Sequence, residues 1–429
     1  MTDSTAVKFA SLKITGWRQF GQIDIDLHPQ LTVLTGSNGA GKSTLLNIFS
    51  SHFGYQRPYL ATPWRDSTGG YRYLNGISKF FRRLLAPKES DSQKVGEILY
   101  TNGTRAIAQV PPQETIQYHL AIQSQQVVQG FHVPSHRRLP NYQPVNQIPT
   151  QPMLPQQAYD GFNGVMTNDF QGGQSAVSST YRIKEALLSM AVFGFGSKYL
   201  NKNEVTMKAF EGFADTLRKI LPEEIGFIDI SIRSPDVVLV TKSGDFLIDA
   251  ASGGLTALVD LAWQIYMYSL RVDSFTVTID EPENHLHPSM QRTLMGNLLK
   301  TFPQVQFIVA THSPFIVSAL KDARVYVLKY EERSDSIEDS SGASKQTRFV
   351  TSMRLDSVNR AGTASQILRD VLGLPTTYPE WVTQGIEEII LKYQGRPFND
   401  VLLKELREEL SRNGYADLYP EVLSKVAKI

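Results

Sequence analysis

Two short stretches carry residue types at spacings suited to phosphate chemistry. The first is Gly36-Ser37-Asn38-Gly39-Ala40-Gly41-Lys42-Ser43-Thr44, which fits G-x-x-x-x-G-K-[ST]. Glycines at 36, 39 and 41 let the backbone wrap closely around phosphates, and amides at a helix start point at them. Lys42 supplies a point charge for the β- and γ-phosphates, Ser43 a hydroxyl for Mg²⁺, and Thr44 a donor to the α-phosphate, with Asn38 inside the same nucleotide-binding loop. The second is the apolar run Phe275-Thr276-Val277-Thr278-Ile279, ending in Asp280-Glu281. Adjacent acids at a buried strand end are costly unless a cation or a proton task balances them. The pair matches the second nucleotide motif: Asp280 holds Mg²⁺, through water, and Glu281 takes a proton from the attacking water.

The elements around these stretches must position them. Leu31-Thr32-Val33-Leu34-Thr35 reads as a buried strand feeding the phosphate loop, and Leu45-Leu46-Asn47-Ile48-Phe49 opens the helix after it. Residues 8–14 and 23–27 alternate as amphipathic strands around a turn at 16–21. Strands are also expected at 228–233, 237–241 and 246–248, followed by Ala251-Ser252-Gly253-Gly254 and an apolar helix over 256–270. The run 275–279 reads as a central parallel strand, 289–300 as a helix, and 306–310 as a strand ending in Thr311-His312-Ser313-Pro314. A further strand is expected at 325–328 and a polar, mobile loop at 331–347.

Composition bounds the rest. The 429 residues are enough for two to three domains. A formal charge of +1 excludes a chain that binds nucleic acid over its whole surface, though not a local basic face. The absence of cysteine excludes disulfides, thiolate catalysis and Cys-ligated metal sites. No signal-peptide core opens the chain, and the apolar stretch 187–196 is too short to span a bilayer, so a cytoplasmic protein without a membrane partner is expected.

The run LKITGWRQFGQIDIDLHPQLTVLTGSNGAGKSTLL resembles the opening of the RecF/SMC/OLD-type ATPases, a branch of the ABC ATPase class. The resemblance implies a three-layer α/β ATPase head that binds ATP and Mg²⁺, hydrolyses ATP, and forms a homodimer or higher oligomer with nucleotides sandwiched between heads. Arg18 and Trp17 match an Arg and an aromatic that lie near the nucleotide in that family; the alternative is a turn held by packing. Ser252, Gly253 and Gly254 resemble the signature that meets the γ-phosphate held by the partner's Lys42, although Ala251 and Leu255 replace the usual Leu and Gln. His312 resembles the switch histidine that contacts the γ-phosphate and positions the water. His285 and His287 correspond to the loop at the dimer interface; as an H-x-H pair they lack a third metal ligand. The family's Mg²⁺-sensing Gln finds no selected counterpart among the glutamines between the phosphate loop and the signature.

Four segments are expected: 1–60, the N-terminal part of the head; 61–225, an inserted, partly loop-rich α/β lobe; 226–345, the rest of the head; and 346–429, a helical tail for assembly or partner binding. Within the second, 77–85 reads as a short amphipathic helix, 118–122 and 127–133 as strands, 135–154 as Pro- and Gln-rich loop, and 182–193 and 204–220 as helices. Arg137 and Arg138 are either phosphate or DNA contacts or ordinary surface residues. Residues 51–200 hold 14 Lys/Arg against 8 Asp/Glu, which is either a DNA-binding face or a moderately basic surface. The tail, with helices at 381–393 and 400–413, resembles the C-terminal part of ATPases from phage-defence systems, Septu- and retron-associated ones among them. The sequence shows no second catalytic site, so any nuclease or toxin effector belongs to a separate chain. A regulatory ATPase of antiphage defence is the leading reading; a RecF-like DNA-repair ATPase and the nucleotide-binding subunit of an ABC transporter are the alternatives.

Overall fold

The computed structural model describes residues 6–65, 71–74, 92–111, 115–136, 141–332, 348–356, 362–374 and 378–427. The expected helix at 77–85 and the pair Arg137 and Arg138 lie outside them.

The strands, in chain order, are β1 (Phe9–Trp17), β2 (Phe20–Asp26), β3 (Leu31–Gly36), β4 (Tyr59–Leu60), β5 (Thr62–Arg65), β6 (Tyr71–Leu74), β7 (Gln93–Tyr100), β8 (Arg105–Val110), β9 (Gln117–Tyr118), β10 (Ala121–Gln123), β11 (Gly130–Val133), β12 (Phe227–Arg233), β13 (Asp236–Thr241), β14 (Phe246–Leu247), β15 (Thr276–Asp280), β16 (Gln306–Ala310), β17 (Arg324–Glu332) and β18 (Arg348–Arg354). Eleven of them form one sheet, in the order β10-β8-β7-β1-β2-β18-β17-β3-β16-β15-β11. The run from β17 to β11 is parallel throughout. Every residue of β3, β15 and β16 is buried, as expected for strands covered on both faces. From β1 to β10 the pairing is antiparallel, and β1 and β2 alternate between buried and exposed positions.

The helices of the first unit include α1 (Lys42–Ser50), α2 (Pro155–Phe170), α3 (Ser179–Phe195), α4 (Glu204–Ile220), α5 (Gly253–Ser269), α6 (Pro288–Thr301) and α7 (Pro314–Val317). Helix α5 is apolar around its circumference and buried along most of its length, with α2, α3 and α4 packed against it. Phe213 of α4 meets Trp263 of α5 edge-on, 4.8 Å between ring centroids. Strands β12, β13 and β14 form a separate small sheet ahead of α5.

Two expected boundaries move. The stretch 61–225 does not stand apart as an inserted lobe: β7, β8 and β10 continue the main sheet beyond β1, and β11 is its far parallel strand. The hairpin β7–β8 escapes the sequence pattern because Gly96, Ala106 and Ala108 occupy paired positions that large apolar residues would otherwise mark. The tail does not begin at 346 either, since β18 pairs with both β17 and β2 and joins the parallel to the antiparallel strands. Residues 1–367 make one compact unit and 368–429 a second. The second has its own core, in which Val382, Ile386, Ile389 and Tyr393 of α8 (Glu380–Tyr393) meet Leu402, Leu406 and Leu410 of α9 (Asp400–Arg412) and Val422 of α10 (Tyr419–Val426). Trp381 stays exposed.

Candidate functional site

Three parallel strands end side by side and carry the candidate chemistry beyond their ends. In register, Leu34 of β3 stands opposite Ala310 of β16, which stands opposite Asp280 of β15. The phosphate loop therefore leaves the sheet beside the Asp280-Glu281 pair and the His312 turn.

Two glycines of the loop are required by their surroundings. Gly36 has φ 140°, and a Cβ there would lie 2.4 Å from the Leu328 carbonyl oxygen. Gly41 has φ 95°, and its Cβ would lie 2.5 Å from both Gln19 Nε2 and Phe20 Cζ. Ser37, Asn38, Gly39 and Ser43 are exposed, and Thr44 is half-buried. Lys42 is buried, its Nζ donating to the carbonyls of Gly36 (3.0 Å) and Ser37 (3.1 Å). Burial lowers its pKa to about 8, while Asp280, Glu281 and Glu283 pull it back up. Two backbone carbonyls hold a charge that a phosphate would hold more strongly.

Burial pushes the Asp280 carboxyl above the usual range, and the hydrogen-bonding Ser43 side chain beside it pulls it back. Its Oδ1 is buried without a hydrogen-bond partner. An orphaned carboxylate oxygen next to a hydroxyl is an all-oxygen donor set that fits a hard cation such as Mg²⁺, which keeps waters and substrate phosphates as its other ligands. No group of three or more His, Asp or Glu suited to a metal occurs among the described residues, so the fit rests on this two-residue set.

Glu281 sits in the left-handed region, with φ 50°. For a side-chain-bearing residue this is strained, by about 1–3 kcal/mol, and persists only where neighbours fix it. Here the Glu281 amide donates to Ala310 O (2.8 Å), and its Oε2 accepts from Asn284 Nδ2 (2.9 Å). Glu283, which the sequence reading left unassigned, accepts from the amides of His312 (2.7 Å) and Ser313 (3.1 Å) through Oε1. It ties the turn after β15 to the turn after β16. The third acid of Asp-Glu-Pro-Glu was the available signal. Burial, followed by the nearby Lys42 charge, lowers the His312 pKa, with Glu281 opposing, which favours the neutral imidazole.

Ser252 is exposed at the N-cap of α5 and accepts from the Leu255 amide (3.4 Å). A Cβ on Gly254 would fall 2.5 Å from the His285 carbonyl oxygen, so the start of α5 packs on the turn that follows the two acids. His287 caps α6, its Nδ1 accepting from the Ser289 amide (3.3 Å). Trp17 is in the core, its Nε1 donating to the Tyr118 hydroxyl (3.1 Å). Arg18 donates to Leu60 O (3.4 Å) and lies over the Tyr59 ring. From the same turn Gln19 meets the phosphate loop, its Nε2 donating to Gly39 O (3.4 Å).

Comparison with known proteins divides along the same lines. A family model described as an AAA domain matches residues 11–83, and one described as an AAA domain, putative AbiEii toxin, Type IV TA system, matches residues 243–318. The first span contains the phosphate loop; the second contains Ser252, Asp280, Glu281 and His312. The chain is 31% identical over 146 residues to the Retron Ec83 probable ATPase of Escherichia coli, covering 31% of this chain and 26% of the relative. It is 25% identical over 202 residues to the Septu protein PtuA of Bacillus thuringiensis, covering 43% and 48%. It thus spans half or less of the curated relatives it matches. Among solved structures, the SmcHead bound to the C-winged helix domain of ScpA is 14% identical, with a TM-score of 0.41, covering 82% of this chain and 98% of that one.

Proposed function

We propose that this chain binds ATP with Mg²⁺ and hydrolyses it, and that two copies close around two nucleotides to switch a separate effector, a nuclease or toxin, in cytoplasmic antiphage defence. The observation that carries the reading is the meeting of Lys42, Asp280, Glu281 and His312 at the ends of three adjacent parallel strands.

Each residue has a task that its surroundings support. The amides of residues 36–44 and the Lys42 ammonium hold the β- and γ-phosphates. Ser43 and Asp280 would hold Mg²⁺, which would neutralise charge on the phosphate oxygens. Glu281, held out of line by its strained backbone, accepts a proton from the water that attacks the γ-phosphorus, and ADP departs with the bridging oxygen. Neutral His312, held through its backbone by Glu283, offers a hydrogen bond to that water or to the γ-phosphate. Ser252, exposed on a helix start beside the same turn, meets the nucleotide of the second copy. The named relatives, probable retron ATPases and Septu PtuA, support the defence setting. Among the described residues no helix is long and apolar enough to cross a membrane.

Mixing Lys42→Ala protein with Ser252→Arg protein tests the composite site. Each variant alone should be inactive. In the mixed dimer one site carries both lesions and the other none, so ATPase activity should return. If the mixture stays inactive, or if the parental monomer at high dilution hydrolyses ATP at the full rate, the sandwich is wrong.

A further inference from the structure

A lysine with no exposed side-chain surface lies behind the signature segment, away from the residues assigned above. Lys184, on α3, uses all three ammonium protons: Nζ donates to Asp249 Oδ2 (2.6 Å), Asp236 Oδ1 (3.1 Å) and Gln143 O (2.8 Å). The Tyr142 ring lies 5.0 Å from the charge, and the Tyr142 hydroxyl donates to Asp236 Oδ2 (3.3 Å). Asp249 belongs to the 3-10 turn Ile248–Ala250, which leads directly to Ser252. On the other side of Ser252, Ser179 of the same helix α3 donates to Asp260 Oδ2 of α5 (2.9 Å). Helix α3 therefore grips the chain both before and after the signature serine.

Buried ion pairs add little net stability over an apolar substitute, because desolvation offsets the attraction. Asp249 even leaves its Oδ1 buried without a hydrogen-bond partner. What such a cluster does supply is a fixed location: three acceptors from three separate segments can meet one ammonium in only one arrangement.

We propose that Lys184 is a positioning residue for Ser252, setting the angle at which the signature segment meets the nucleotide of a second copy. Its effect is therefore exerted on the second copy's ATP, not on the ATP held by its own Lys42. This rests on the composite-site reading above. The cluster also takes in Gln143 and Tyr142, so the segment after β11 bears on the same serine. That segment touches the catalytic turn as well, where Asn284 Nδ2 donates to Ser135 O (3.2 Å).

The test is complementation between chains, with two variants. Lys184→Met removes the charge, and Asp249→Asn keeps the shape and leaves Lys184 its pair with Asp236. Each alone should lose about 100-fold in turnover, the cost of a displaced catalytic group, while nucleotide affinity of the single chain is unchanged. Mixed with Lys42→Ala protein, each should regain activity, because one site then combines an intact phosphate loop with an intact signature. Mixed with Ser252→Arg protein, neither should regain it, because both sites then hold a defective signature. The opposite pattern places Lys184 on the side of its own nucleotide and overturns the proposal. So does loss of folding in both variants, since the cluster would then hold the fold and not the segment. If the Lys42→Ala and Ser252→Arg pair itself fails to complement, the composite site fails first and is identified as the cause.

Discussion

The two halves of the main sheet differ in where they put their polar residues. On the parallel side, β3, β15 and β16 all end at the same edge, and the phosphate loop, Asp280-Glu281 and His312 follow those ends. Strands that point one way deliver their loops to one place, and ligands bind in open α/β sheets at that carboxyl edge. On the antiparallel side, β1, β7, β8 and β10 reverse direction at each step and form no common edge. That side contributes support: the β1–β2 turn sets Gln19 and Phe20 against Gly41. The comparison predicts that damage to the parallel edge removes chemistry and leaves the fold, while damage to the antiparallel side does the reverse.

The largest effect should come from Glu281→Gln. The change leaves shape and the Asn284 contact available and removes the proton acceptor. Turnover should fall by about 10³-fold, within the range for losing a general base, with ATP still bound and the dimer trapped. Single-turnover hydrolysis together with a binding measurement checks it. Turnover at the parental rate would remove Glu281 from its assigned role and leave Glu283 as the acid to test next.

This edge was also the most legible part of the sequence. A parallel strand buried on both faces reads as an unbroken apolar run, and β3, β15 and β16 each run straight into a polar motif. The helix expected at 204–220 runs over Glu204–Ile220 in the structure, where Asn203 caps it. The hairpin β7–β8 carried no such signal. Its buried positions include Gly96, Ala106 and Ala108, and its role comes from pairing with β1, which no local pattern reports. The same holds for β18, rich in polar residues, which is a strand because β17 and β2 lie on either side of it. Within the site, Glu283 and Gln19 were missed because each acts on the backbone of a segment distant in sequence. For Trp17 the sequence left a nucleotide contact and a packing role both open, because an aromatic in a turn near the loop serves either; in the structure it is buried in the core.

The second effect is a pH dependence confined to the parallel edge. In the free protein burial holds the Lys42 pKa at about 8, below the ordinary 10.5. A bound triphosphate favours the charged form, so above about pH 8 binding must take up a proton. Affinity should fall as pH rises past about 8, by up to about tenfold per pH unit. At the acid end the raised Asp280 carboxyl makes protons compete with Mg²⁺, so the Mg²⁺-dependent part of the affinity should weaken as pH falls. Titration with a non-hydrolysable ATP analogue, from about pH 7 to about pH 9.5, checks the alkaline limb. Lys42→Met should abolish it. A flat profile for the parental protein would mean that Lys42 is not the group facing the phosphates.

The smallest functional effect should come from the antiparallel side, and it completes the comparison. Gly96 of β7 lies opposite Ile14 of β1, where an added Cβ would stand 2.3 Å from the Lys13 carbonyl oxygen and 2.5 Å from Ile14 Cδ1. The carbonyl belongs to a paired backbone and cannot step aside without disturbing the β1–β7 ladder. Gly96→Ala should therefore destabilise the first unit by about 1–3 kcal/mol, the usual cost of forcing an extra methyl into packed surroundings. Denaturant midpoints give the stability, and turnover per folded molecule gives the chemistry. The expected result is a lower midpoint with unchanged turnover and nucleotide affinity. A drop in turnover at equal folded fraction would mean that strain in β1 travels along the β1–β2 hairpin to Gln19 and the phosphate loop. The antiparallel side would then tune the site as well as brace it.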